Sequence, residues 1–147
     1  MTTTQSTLDQ YAQGAAERLG SGTFCSVTIF DRGSLFQVAS SDPRAAACDQ
    51  VETRDSAGPC ILAMEQLSGV LIEDLEADTR WPNWRRAALD SGFRGFLALP
   101  GYVDDDMTVA VNSYSEHVSP PWSAQQIVGM DRYVQELADV LRAGRRN

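Results

Sequence analysis

The sequence predicts an α+β domain whose strands pair as antiparallel neighbours rather than alternating with helices in a parallel sheet. Three observations carry this. β-rich runs follow one another directly around Asp31–Gly33 and again around Asp104–Asp106. Amphipathic helical stripes open and close the chain. Between them, strand and helix signals do not repeat in the regular βαβ order that a parallel sheet requires.

Each element has its own local cause. Leu8, Tyr11, Ala12, Ala15 and Leu19 recur every three or four residues, so one apolar stripe runs along an opening helix that Gly20 ends. Phe24–Phe30 and Leu35–Ser40 read as a hairpin, with Gly33 available for the positive φ of a tight turn. Residues 42–58 are polar, lack sustained periodicity and contain Pro43 and Gly58, which predicts a long loop with at most one helical turn. Pro59 starts a short helix closed by Gly69, and Val70–Ile72 supplies a strand. Pro82 starts a second short helix that Gly92 ends, before a strand over Phe93–Leu99. Met107–Tyr114 is the last strand. Ser123 and Gln126 have capping-box spacing ahead of a long helix that lines up Ile127, Met130, Val134, Leu137 and Leu141.

At 147 residues, with 43% hydrophobic and 22% charged, the chain reads as one domain over 1–147, with residues 1–5 expected as a flexible tail. No apolar run is long enough to span a bilayer, and the N-terminus lacks the basic and apolar regions of a signal peptide, so a cytoplasmic location and no membrane contact are expected. The net charge is −8 and every basic residue is an arginine. Without lysine there is no Schiff-base or P-loop chemistry, and an acidic surface repels nucleic-acid phosphates, so no direct nucleic-acid binding is expected. Cys25, Cys48 and Cys60 form no CxxC pair and His117 is the one histidine, so no metal site is expected.

Three stretches carry a family resemblance: AGPCILAMEQLSGVLIEDLEAD, RWPNWRRAALDSGFRGFLALP and TVAVNSYS. With the flanking helices they cover nearly the whole chain, and together they resemble the GAF domain, in particular GAF-type sensor and regulatory domains of actinobacteria. The resemblance implies a PAS-related central antiparallel sheet, terminal helices on one face and a ligand pocket on the other. It does not choose a ligand, because one fold hosts many functions. The family's cyclic-nucleotide signature, Asn-Lys-Phe-Asp-Glu, requires a lysine that is absent, and the Cys-His neighbours of its bilin-binding members are absent too. Free methionine sulfoxide reductase is the family's enzymatic branch. Cys60 in GPCILA matches its Gly-x-Cys turn, but the resemblance puts the nucleophilic cysteine in the segment Trp84–Ser91, which has none, and Phe96 stands where an acidic substrate contact is implied.

The remaining candidates weigh toward packing. Cys25 in a strand and Cys60 in an apolar helix read as small buried hydrophobes, whereas Cys48 in the polar stretch is expected nearer the surface, its reactivity blunted by Asp49. His117 reads as solvated. Trp81 and Trp84 share one side of their helix and, with Phe96, form either an aromatic pocket wall or core. No nucleophile, base and orienting group coincide, so no catalytic residue is assigned.

The expectation is a non-catalytic sensor module without a cofactor. Its unidentified small-molecule ligand lies between the sheet and residues 55–83, touching Phe36, Trp81, Trp84, Phe96, Asn112 and Tyr114, and it signals to a partner protein. The alternatives are a dimerisation or protein-interaction module whose pocket is filled core, and a thiol-based redox sensor or reductase. A homodimer through the terminal helices is also expected, because Val128, Tyr133 and Val140 widen the apolar stripe of the closing helix.

Overall fold

A computed structural model describes residues 4–118 and 120–145. Its elements are α1 (Thr4–Leu19), β1 (Thr23–Asp31), β2 (Ser34–Ser40), α2 (Pro43–Asp55), α3 (Pro59–Gln66), β3 (Val70–Ile72), α4 (Pro82–Asp90), β4 (Gly95–Asp104), β5 (Met107–Ser115) and α5 (Ala124–Arg145). The strands form one sheet in the order β2-β1-β5-β4-β3, and every neighbouring pair is antiparallel. The α+β architecture with a central antiparallel sheet is therefore present as expected. α1 begins at Thr4, inside the stretch expected as a tail, and residues 1–3 lie outside the described residues.

Side chains alternate across a strand, so the sheet divides them between two layers. Cys25, Val27, Ile29, Leu97, Leu99, Val109 and Val111 meet the apolar stripes of α1 and α5. Ser26, Thr28, Phe96, Ala98, Asn112 and Tyr114 point to the opposite side, beneath α2, α3 and α4. The capping box of α5 forms in both directions: Gln126 N–H donates to Ser123 Oγ at 3.1 Å, and Ser123 N–H to Gln126 Oε1 at 2.9 Å. β4 runs past the expected end at Leu99 through Pro100, which is tolerated because β3 is only three residues long and Pro100 has β5 alone as a neighbour.

One element corrects the sequence reading. Residues 42–58 are not a long loop, since Pro43–Asp55 is a helix of 13 residues. Asp42 caps it, its carboxylate accepting from Arg44 N–H at 2.8 Å, and Pro43 occupies the first turn, where no amide donor is missed. The helix escapes a hydrophobic-periodicity test because its buried positions are Ala45, Cys48, Asp49 and Glu52, two small residues and two carboxylates. Cys48 is accordingly buried within this helix, not exposed in a loop. Among the described residues no helix is long and apolar enough to cross a membrane.

Candidate functional site

The helical register of α2 sets Asp49 and Glu52 three residues apart on its inner face, and both are at most 2% exposed. Asp49 reaches the middle of the sheet. Its Oδ2 accepts from Ser26 Oγ, from Thr28 Oγ1 at 3.1 Å and from Asn112 Nδ2 at 3.1 Å, and its Oδ1 accepts from Tyr114 O–H at 2.7 Å. The four donors come from two neighbouring strands, because Ser26 is paired with Asn112 across β1 and β5. Tyr114 in turn accepts from Trp84 Nε1 at 3.1 Å, so a chain of hydrogen bonds runs from α4 through β5 to α2. Among the described residues, Asn112 Oδ1 has no hydrogen-bond partner.

Glu52 points toward α3. Its two oxygens accept from the backbone N–H groups of Cys60 and Ile61, each at 3.3 Å, and so satisfy the start of a helix whose own cap, Gly58, has no side chain to offer. A Cβ on Gly58 would overlap the Glu52 carboxyl, which is why that position takes glycine.

Among the described residues, the donors to both carboxylates are neutral. Burial therefore raises the Asp49 pKa against its four hydrogen bonds. Burial first, and then the charge of Asp49, push Glu52 well above the usual carboxylate range. The Tyr114 phenol is raised by burial and by the same charge. The three thiols follow suit: burial pushes Cys25 and Cys48 up to about 12, and Cys60 is raised by burial and then by Glu52.

Of the six expected ligand contacts, the structure brings Trp84, Phe96, Asn112 and Tyr114 together as buried neighbours. Trp84 meets Phe96 edge-on with ring centroids 4.8 Å apart, and Tyr114 lies 4.9 Å from both Phe96 and Phe93. These rings occupy the space beneath α4 themselves. Trp81 stands at their outer edge, T-shaped against Trp84 at 6.3 Å, with the Arg80 guanidinium over its other side at 4.4 Å. There it lines a crevice of about 130 Å³ with Asp55, Ala57, Asn83 and Trp84, where Asn83 Nδ2 donates to Asp55 at 3.1 Å. Phe36 is set apart: it is half-exposed on edge strand β2, opposite Ile29 of the α1–α5 core. His117 is exposed, with Nε2 3.1 Å from the Ser21 carbonyl.

The sequence reading missed Ser26, Thr28, Asp49 and Glu52. A signal existed in Asp42-Pro43, a capping residue followed by a first-turn proline, with Ala45, Cys48, Asp49 and Glu52 spaced behind it on one helical face.

No protein-family model matches the sequence, and no curated protein matches it. Solved structures do match. A domain of a Sinorhizobium meliloti protein described as a two-component sensor histidine kinase superposes with a TM-score of 0.79 at 10% identity, covering 99% of this chain and 94% of that one. A GAF domain from Synechocystis, solved in its photoproduct state, gives 0.73 at 14% identity over 97% of this chain and 96% of its own. This chain has the GAF fold. A free methionine-R-sulfoxide reductase from Thermoplasma acidophilum shares that fold too, at a TM-score of 0.64 and 14% identity, covering 95% of this chain and 92% of the enzyme. The GAF fold is thus used by sensors and by at least one enzyme, and which use this chain makes of it depends on its own side chains.

Proposed function

We propose that this GAF-fold chain is a non-catalytic sensory module that binds a small molecule at the outer edge of α4 and reports to a partner protein. The observation that carries the reading is the position of Trp84. Trp84 is among the residues that line the Trp81–Asp55 crevice, and its indole N–H belongs to the chain that runs through Tyr114 to Asp49. A group that enters the crevice and moves Trp84 therefore disturbs the hydrogen bonds that hold α2 on the sheet. Buried carboxylates without a cation are expensive, and their retention here is consistent with a switching role. Thiols held near pKa 12 supply almost no thiolate at neutral pH, which argues against a cysteine-based reductase or peroxide sensor. An acidic, lysine-free chain also argues for a protein or small-molecule target over nucleic acid.

A second reading is favoured by the packing of Trp84, Phe96, Asn112 and Tyr114 on one another: a dimerisation or protein-interaction module whose pocket is filled core. Native mass spectrometry of the freshly purified chain separates the two. The sensor reading expects a retained small molecule that Trp81→Ala releases while stability changes by under about 1 kcal/mol, since Trp81 is only half-buried. Trp84→Ala is expected to destabilise by about 3–5 kcal/mol. A bare mass in the wild type, with equal destabilisation by both substitutions, would leave the filled-core module standing.

A further inference from the structure

The helix layer stops short of one end of the sheet. Ala110 is covered by Cys60 and Met64 of α3, but the next row outward on the same face is Phe30, Thr108 and Tyr102, paired across β1, β5 and β4. Phe30 is 37% exposed and Tyr102 45%, so an aromatic row faces solvent in the middle of a sheet where a neighbouring row is fully buried. Phe30 forms one wall of a groove of about 250 Å³, completed by Ile61 and Met64 of α3. The Met64 thioether gives that wall the adaptability to close around more than one side-chain shape.

The rim has a definite sign. Glu65 flanks the groove from α3, and Asp105 and Asp106 flank it from the β4–β5 turn. Arg32, the cation that also lines it, is ion-paired with Asp31 at 3.4 Å and with Asp106 at 3.7 Å, so it offsets Asp106, and among the described residues Glu65 on one side and Asp105 on the other have no ion-pair partner. Acidic groups on both sides of an apolar slot select an occupant with positive charge on both sides of an apolar group. A free amine carries its charge at one end and cannot answer both rims.

We infer that this groove docks a segment of a partner protein in which one large apolar side chain is flanked by arginines or lysines. The site lies on α3, whose first turn is held by Glu52, and is separate from the Trp81 crevice, so it stands or falls independently of the ligand reading.

Fluorescence anisotropy with a fluorescein-labelled Gly-Arg-Arg-Phe-Arg-Arg peptide tests it. Saturable binding is expected, weakened about tenfold or more when serine replaces the peptide's phenylalanine or when the protein carries Phe30→Ser. Joint Asp105→Asn and Asp106→Asn substitution is expected to weaken binding at least about threefold, with a shallower salt dependence. Phe36→Ser removes a more exposed phenylalanine on the opposite side of the β1–β2 ladder and is expected to change affinity by less than about twofold. The proposal is overturned by absence of saturable binding up to about 1 mM, the weak end of specific affinities, by equal affinity in Phe30→Ser, or by an equal loss in Phe36→Ser.

Discussion

The two faces of this sheet solve the same packing problem with opposite chemistry. On the α1–α5 side, Leu8, Val27, Leu99, Val111, Val134 and Leu137 interlock without a buried charge. On the α2–α4 side the same strands present Ser26, Thr28, Asn112 and Tyr114 to a carboxylate. An apolar face holds its helices by burial, a term that varies little with pH and has no directional requirement. The polar face holds α2 by a few directional bonds to a group whose ionisation burial opposes, so its grip is conditional. Both faces bury an apolar cluster, but among the described residues only the second adds a buried carboxylate to what holds its helix, and the Trp81 crevice opens on that side.

The largest effect that sharpens this contrast comes from emptying each face once. Leu137→Ala should destabilise by about 2–5 kcal/mol through loss of buried contacts, equally at acid and neutral pH. Asp49→Ala should cost at least about 3 kcal/mol, because it leaves the buried hydroxyls of Ser26, Thr28 and Tyr114 without their acceptor at about 1–3 kcal/mol each, while Asn112 Nδ2 keeps Thr28 Oγ1 at 3.1 Å. Urea unfolding at several pH values measures both. A cost under about 1 kcal/mol for Asp49→Ala would mean that water enters and that α2 is not held by its carboxylate.

A smaller and more specific effect belongs to Glu52. Its folded pKa lies well above the ordinary 4.5, so the folded state binds the proton more tightly than the unfolded chain. The sign follows from linkage: this contribution is fully present below about 4.5 and is lost as pH rises from there through the folded pKa, by no more than about 1.4 kcal/mol per pH unit for one group. Glu52→Gln keeps one acceptor oxygen for either the Cys60 or the Ile61 N–H, turns an NH2 toward the other, and cannot ionise. Its stability profile should therefore be flatter than that of the wild type above pH 4.5. Identical slopes in the two proteins would show that Glu52 titrates as an exposed carboxylate does.

How far the sequence was legible follows the same division. α1 and α5 could be read from apolar spacing because burial on their side is apolar, and the hairpin around Gly33, the Pro-started short helices and the Ser123 capping box all stand where their local signals put them. α2 could not, because a helix that buries Asp49 and Glu52 looks like a solvated stretch to any rule that equates buried with hydrophobic. The candidate site inherited that blind spot. Strand alternation put Phe96 with Ala98 and Asn112 with Tyr114 on shared faces, and the GAF resemblance turned those faces toward the Trp84 helix, but neither could supply the acid they surround, and Phe36 lies apart because its pairing with Ile29 on edge strand β2 turns it to the other side.

The smallest effect on the fold itself concerns the outer surface of the apolar face, where we propose a homodimer. Tyr133 does not widen the outer stripe as its position suggested: it is buried against Tyr11 with ring centroids 4.9 Å apart, and its hydroxyl donates to the Tyr11 carbonyl at 3.0 Å. Val128 and Val140 remain, 56% and 45% exposed on α5. Val140 also borders an apolar groove of about 350 Å³ between the ends of α1 and α5, floored by Ile29, Met107 and Leu141. An exposed valine beside an unfilled apolar groove is a ready surface for a second copy, which under two-fold symmetry would place each Val140 against the partner's groove, with Val128 further along the same helix. Light scattering at micromolar concentration should give a dimeric mass, and joint Val128→Asp and Val140→Asp substitution should give a monomer whose unfolding free energy, corrected for association, changes by under about 0.5 kcal/mol. A monomeric wild type would remove the dimer and leave the two valines as isolated surface residues, with the difference in buried chemistry between the two faces of the sheet untouched.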